Sequence, residues 1–418
     1  MKVCVITPIY HPYGHGGLEA YALELVQRLL SRGHRVAVIT RGEQTVDIPD
    51  DGHGDIHQIK RTAFLPFLSV SSRPNEWLAT HLDEVFSGYG AKATKRLIRQ
   101  IKPDVIFSQA FYGFGRNMPQ TIESLGIPWL HYVHSYGLVC KRQTAMHKNG
   151  HVCMRQCLDC KLICRFKYGG APLRKAITIY NSSHMQRFCM DAGMVTLESH
   201  VVDPVFSYNA HEVSATYDPV PPIRLVYVGR VSHEKGIQLL CEAVAAQPAK
   251  YRLDVLGSGP LLGELEARYG NAPIRFYKHV EPERRDVLLK EAHALVAPSL
   301  WNEPFGRVIQ EGFLAGLPVI VAGVGAIGTL VRHNVDGVVF GWRPGAELQC
   351  LSKALGEAAP ELSRLRAGAL ETRLRLLEQD NFDLIENLLD RAAGAPLPQP
   401  PVLGPARHQN PKEEPAYE

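Results

Sequence analysis

Short runs of apolar, largely β-branched residues recur along this chain. Each is followed by a glycine- or proline-bearing loop and then by residues at helical spacing. Val3-Cys4-Val5-Ile6-Thr7 opens the series. Behind its loop, Leu18, Tyr21, Ala22, Leu25 and Leu29 give one apolar face to a helix over 18–32. Gly33 stops that helix, and residues 35–40 read as the next strand. A strand that is apolar at consecutive positions is buried on both faces, as happens where helices cover a parallel sheet. The pattern restarts at 223–228 and continues through strands at 253–256, 274–277 and 295–299. The reading is α/β, with two doubly wound parallel sheets, and 418 residues give room for both. The first domain is placed at 1–205, a linker rich in Pro, Asp, Ser and His at 206–222, the second domain at 223–378, and a closing helix at 379–394. Residues 395–418 are Pro-rich and polar. They hold too few apolar residues to offset the entropy of ordering and are expected to be disordered.

Composition removes several classes. A net charge of +4 is too small for a nucleic-acid binder. Met1–Thr7 runs straight into a strand pattern and leaves no apolar region long enough for an export signal. The uncharged run 312–331 has the length of a membrane span, but Pro318, five glycines and the β-branched Val319-Ile320-Val321 read as helix end, buried strand and loop. The expectation is a cytoplasmic protein with reduced thiols.

Two loops of the second domain carry candidate chemistry. In Ser299–Gly337, Glu303 and Glu311 flank the turn Pro304-Phe305-Gly306 and the start of a helix. Pro and Gly mark the loop. A helix start offers unpaired N–H groups and a positive dipole end, which suits a phosphate. Two solvated glutamates at a helix start would give the same spacing. In Gly229–Gly236, Arg230 and Lys235 sit at the mouth of a strand. Arg can grip a diphosphate through two hydrogen bonds and Lys as a point charge. The turn Gly257-Ser258-Gly259-Pro260 offers backbone to line a nucleotide pocket. Near the N-terminus, Gly14–Gly17 fails the dinucleotide spacing G-x-G-x-x-G, because Glu19 stands where the last glycine belongs.

The ordered pattern E-P-F-G-x-x-x-x-E-G-x-x-x-G-x-P-V-I from Glu303, followed by a Gly-rich loop and Asp336-Gly337, is joined by G-R-x-x-x-E-K-G at 229–236 and K-P-D-V-I at 102–106. Together these resemble the retaining nucleotide-sugar glycosyltransferases of family 4, across roughly residues 1–390. The resemblance implies the GT-B fold, two Rossmann-like domains facing a central cleft. It implies that Glu303 contacts the donor sugar, Glu311 holds the ribose, and Arg230 and Lys235 bind the diphosphate. Gly16 and Gly17 would lie over that diphosphate, and Gly257, Phe305, Gly306 and Arg307 would complete the donor site. His279 stands where such proteins usually carry glycine beside the base, so the base stays open.

Residues 129–135 read as a strand ending in polar residues, and ligand sites of parallel sheets lie at such ends. A histidine there can equally be a polar cap. The resemblance implies a histidine near the reacting carbon at this strand end, and His134 fits the position better than His131. Five of the nine cysteines follow closely, at 140, 153, 157, 160 and 164. Cys157-x-x-Cys160 has metal-ligand spacing, and Cys140 and Cys153 would complete a tetrahedral structural zinc site, with Cys164 as a substitute. The irregular spacing also fits thiols without metal. A helix over 91–101 carries Lys92, Lys95, Arg96 and Arg99 beside Leu97, Ile98 and Ile101. That pattern suits a solvated face or peripheral contact with an anionic membrane.

The implied reaction transfers a sugar from a nucleotide diphosphate sugar to the hydroxyl of a glycan or lipid-linked acceptor, with retained configuration. Polysaccharide or glycolipid assembly is the implied setting. No D-x-D occurs, and a cation-based diphosphate site needs no metal cofactor for catalysis. The alternatives are an epimerase or phosphorylase of the same fold, a non-catalytic nucleotide-sugar-binding protein, and zinc chemistry at the cysteines.

Overall fold

The apolar runs assemble into two sheets. The structure is a computed structural model and describes residues 1–11, 17–42, 44–60, 86–147, 152–169, 172–208, 212–278, 280–341, 343 and 345–394. The described chain forms two compact units. One holds Met1–Ala145, Met154–Phe206 and the described residues from Asp380 onward. The other holds Ser207–Gln379 and the short stretch Met146–Cys153.

The first unit contains β1 (Lys2–Ile6), β2 (Arg35–Gly42), β3 (Val46–Ile48), β4 (Asp55–Lys60), β5 (Val105–Ser108), β6 (Trp129–Val133), β7 (Leu173–Tyr180) and β8 (Thr196–Val201). They lie in the order β3-β4-β2-β1-β5-β6-β7-β8. The sheet is wound both ways from β1, which pairs in parallel with β2 and β5. The edge strand β3 is antiparallel to β4, a departure from an all-parallel sheet. The second unit contains β9 (Ile223–Val228), β10 (Tyr251–Leu256), β11 (Ile274–Tyr277), β12 (Ala294–Ala297), β13 (Val319–Ala322) and β14 (Gly337–Phe340). Their order is β11-β10-β9-β12-β13-β14 and every ladder is parallel.

Alternation along β9 shows why continuous apolar runs were needed. Leu225 and Tyr227 enter one core with Leu240 and Val244, while Val226 enters another with Ile309 and Phe313. In the first unit, Val3, Val5, Leu25 and Phe107 share a core with Phe382, Ile385, Leu388 and Leu389 of the closing helix Phe382–Ala392.

Several elements differ from the expectation. Residues 46–60 show no regular apolar pattern in the sequence, yet β3 and β4 form there; only Ile56 and Ile59 of β4 are buried, so its signal is thin. β8 is also unmarked in the sequence, because TLESHV mixes polar residues with Leu197 and Val201, both exposed at the sheet edge. The basic helix runs over Tyr89–Ile101 and buries Ala91, Thr94, Ile98 and Ile101 in its own unit. Its apolar face is therefore occupied, which leaves only its cations for any anionic partner. Among the described residues no helix is long and apolar enough to cross a membrane. The stretch read as a linker is packed onto the second unit: Tyr217 Oη donates to the His293 carbonyl at 2.6 Å, and Arg366 Nη2 donates to the Ser214 carbonyl at 2.6 Å. Residues 395–418 and His279 lie outside the described residues.

Candidate active site

In an open parallel sheet, ligands bind outside the C-terminal strand ends where the strand order reverses. In the second unit that point lies between β9 and β12. Both motif loops leave the sheet there. The loop after β9 carries Arg230 and Lys235, and the loop after β12 carries Ser299 and Glu303. The Leu300 N–H donates to the Glu234 carbonyl at 2.8 Å and ties one loop to the other. Lys235 Nζ donates to Glu303 Oε1 in a short ion pair, and Ser299 Oγ donates to the same oxygen at 3.0 Å. Glu303 is only 7% exposed, and a carboxylate so buried requires such partners. Its Oε2 takes no hydrogen bond among the described residues. The Lys235 ammonium also lies 5.2 Å from the centre of the Trp301 ring. The Arg230 side chain is exposed at the loop mouth.

The helix Arg307–Leu314 starts directly behind this pair. It has no side-chain cap, so its first N–H groups and positive dipole end stay open. Gly306 has φ 119°, and a Cβ there would come within 2.5 Å of Ile327; only glycine makes this turn. Phe305 of the turn is buried at 5% exposure. Glu311 sits on the helix, where Arg285 Nη2 pairs with it closely and Arg307 Nε lies at 3.7 Å. Gly257 has φ 145° and lies against the Gly229 carbonyl, where a Cβ has no room. Its N–H donates to the Tyr277 carbonyl at 3.0 Å. It therefore serves by close approach and has no free donor for a ligand. Asp336 of the motif is 1% exposed and accepts from Arg332 Nε at 2.7 Å and Thr372 Oγ1 at 2.8 Å. That makes it a strut for the sheet edge.

In the first unit, His134 follows β6. Its ring stacks on Tyr132 at 4.2 Å and meets Tyr21 edge-on at 4.9 Å. Burial pushes its pKa down to about 3, so the imidazole is neutral near pH 7. Its Nε2 is shielded from solvent and has no partner among the described residues. His131 is 2% exposed, bonded at Nδ1 to Ser108 Oγ at 2.8 Å and stacked on Phe111. Its ring is buried beside the end of the strand. Gly17 opens the helix Gly17–Ser31, with nothing within 4 Å of a Cβ placed there. Gly16 lies outside the described residues.

With this geometry, comparison with known proteins becomes specific. Residues 217–344 match the family model for glycosyl transferases group 1, and residues 15–158 match that for glycosyltransferase family 4. The chain is 24% identical over 360 residues to an uncharacterized glycosyltransferase of Methanocaldococcus jannaschii, covering 81% of this chain and 84% of that protein. The chain belongs to the family 4 glycosyltransferases, of the GT-B fold. An uncharacterized 42.6 kDa protein from the cps region of Klebsiella pneumoniae is 25% identical to this glycosyltransferase over 349 residues, covering 79% of this chain and 88% of its own. The Anabaena protein HepE, solved in complex with UDP-glucose, shares the fold with a TM-score of 0.62 at 16% identity, covering 94% of this chain and 98% of its own.

Three residues of the glycosyltransferase's second unit escaped the sequence reading. Ser299 and Trp301 lie inside the motif loop but are unremarkable types there. Arg285 lies on the charged helix Pro282–Glu291, where nothing in the spacing sets it apart from Arg284.

The cysteines divide between the two units. Cys153 belongs to the stretch grouped with the second unit, where its carbonyl accepts from Asn302 Nδ2 at 2.9 Å. Cys140, Cys157 and Cys160 gather in the first unit. The Cys157 and Cys160 sulfurs and an Asp159 carboxylate oxygen lie within 4.8 Å of one another. The Cys140 and Cys160 thiols are hydrogen-bonded. That interaction holds the Cys140 thiol below its ordinary value despite its burial and pushes the Cys160 thiol up. Cys164, one turn along the helix Leu158–Tyr168, is pushed up to about 12 by burial.

Proposed function

We propose that this glycosyltransferase moves a sugar from a nucleotide diphosphate sugar to an acceptor hydroxyl with retained anomeric configuration, in the assembly of a glycan or glycolipid. The observation that carries the reading is the Lys235–Glu303 pair, set where the sheet order reverses and beside an uncapped helix start. The leaving diphosphate gains negative charge as the glycosidic bond breaks. Lys235, Arg230 and the first N–H groups of the helix Arg307–Leu314 stand ready to stabilise it without reorganising. Glu303, fixed through Oε1, keeps Oε2 for a hydroxyl of the donor sugar. Glu311, held by Arg285 and Arg307, is the carboxylate for the ribose.

Retaining glycosidases use a free carboxylate nucleophile. Glu303 is already engaged by a lysine and a serine, which favours front-face attack within an ion pair. In that scheme the acceptor oxygen bonds to the anomeric carbon on the face the diphosphate leaves, and a leaving-phosphate oxygen takes the acceptor proton. The neutral His134 would pack its ring beside the donor sugar without adding charge there. The relative from the cps region favours a polysaccharide setting, and the UDP-glucose held by HepE makes UDP-sugars the first donors to try.

Incubation with UDP-, GDP- and ADP-sugars, with the product's anomeric configuration read by NMR, tests the proposal. One donor is expected to be consumed with retention and to be spared by Glu303→Gln. An inverted product would overturn the stereochemical part. Folded protein that consumes no donor would favour a binding role.

A further inference from the structure

We propose that the first unit carries a tetrahedral zinc site made by the thiolates of Cys140, Cys157 and Cys160 and the carboxylate of Asp159. The site stands apart from the donor reading and does not depend on it.

Three observations converge. The first is placement. Cys157 is the N-cap residue of the helix Leu158–Tyr168, and Cys160 lies in its first turn. One helix start thus presents both sulfurs to the same side, together with Asp159, all within 4.8 Å. Cys140 lies in the turn after residues 136–138, near Cys160 but outside the mutual 4.8 Å of the other three groups, and would close on them to complete the set.

The second is the setting of the sulfurs. Cys140 and Cys160 are each 5% exposed, a sheltered setting of the kind that surrounds a structural metal. The helix start adds its positive dipole end. Lys141, paired with Asp159, offsets part of the charge of three thiolates and a carboxylate around a divalent ion.

The third is the poverty of the local core. Met154, Leu158 and Leu162 are 84%, 73% and 61% exposed. A segment that leaves its large apolar side chains in solvent gains little from burial, and a bound metal is a common substitute. Zinc takes sulfur and carboxylate oxygen together in four-coordinate sites, and four protein ligands leave no place for water. The site is therefore structural. Zinc binding displaces the thiol protons to solvent, one for each thiol that was protonated.

The test uses the full chain expressed with added zinc and purified without chelator. Metal content by mass spectrometry is expected to be one zinc per chain. Cobalt exchange is expected to give the intense bands of tetrahedral thiolate-bound cobalt. Cys157→Ser, Cys140→Ser and Asp159→Asn are expected to lose most of the metal, while Cys350→Ala keeps it. A chelator is expected to lower the Tm of the wild type and leave that of Cys157→Ser unchanged. Wild-type protein without zinc would overturn the proposal whatever the variants do, and so would an iron–sulfur chromophore. Full zinc in Asp159→Asn would overturn the carboxylate as fourth ligand.

Discussion

At the scale of single residues, the account rests on two side chains that hold each other. Lys235 and Glu303 are ion-paired before any substrate is present, so neither must be reoriented to meet a charged ligand. Lys235→Ala should lower kcat/KM for the donor by about 10²–10³-fold, the usual effect of removing one preorganised charge-stabilising group. It also strips a buried carboxylate of its cation, so circular dichroism must accompany the kinetics. Arg230→Ala should cost less and act mainly on KM, because Arg230 is exposed. His134 gives a different kind of prediction. Burial holds it neutral with a pKa of about 3. Its loss through His134→Asn should lower kcat while leaving the pH–rate profile between about pH 5 and 8 unchanged in shape. A limb of that profile that disappears with His134 would contradict the neutral assignment.

At the scale of elements, the strands that bear the site were legible because they are buried on both faces. Ile223–Val228 could be read from a run of apolar residues, and so could the positions of Lys235 and Glu303 at loop mouths. What stayed hidden had no such contrast. β8 leaves its Leu197 and Val201 exposed at a sheet edge, and β4 buries only two side chains. The helix Leu158–Tyr168 interrupts its apolar positions with charges, so the cysteine spacing was visible while the element that gathers the sulfurs was not. The partner of Glu311, Arg285, could come only from three dimensions. The motif also concealed a division of labour. Asp336 lies in the same stretch as Glu303, yet it fixes the Arg332 turn to Thr372 on the helix Leu362–Leu377. Asp336→Ala should destabilise the protein by about 2–3 kcal/mol, the range for charged hydrogen bonds lost from a buried group. Urea unfolding would show this, and donor turnover of the folded variant at low temperature should be nearly normal. A stable but inactive Asp336→Ala would move the residue into the site.

At the scale of the whole molecule, the first unit is completed from the far end of the sequence. Phe382, Ile385, Leu388 and Leu389 enter its core, and Asn381 bonds the Val205 carbonyl at 2.8 Å. Truncation after Gln379 should therefore expose that core and yield aggregated protein. The same unit should be sensitive to acid. His131 and His134 are held near 3, below the 6.5 of a free histidine. The unfolded chain binds protons that the native unit excludes, so stability is complete above pH 6.5 and falls as the pH drops toward 3. Each histidine contributes a slope of up to about 1.4 kcal/mol per pH unit. Urea midpoints at two pH values should show a shallower acid dependence in the His131→Asn, His134→Asn double variant than in the wild type.

The most direct measurement is a thermal-shift titration of wild type and Lys235→Ala with UDP, GDP, ADP and their glucose conjugates. A ligand that binds only the native state raises the Tm by mass action. The account predicts that one nucleotide series stabilises the wild type, and that Lys235→Ala, folded by circular dichroism, loses the shift. A shift of undiminished size in that variant would contradict the placing of the diphosphate at Lys235, and with it the site built around Glu303.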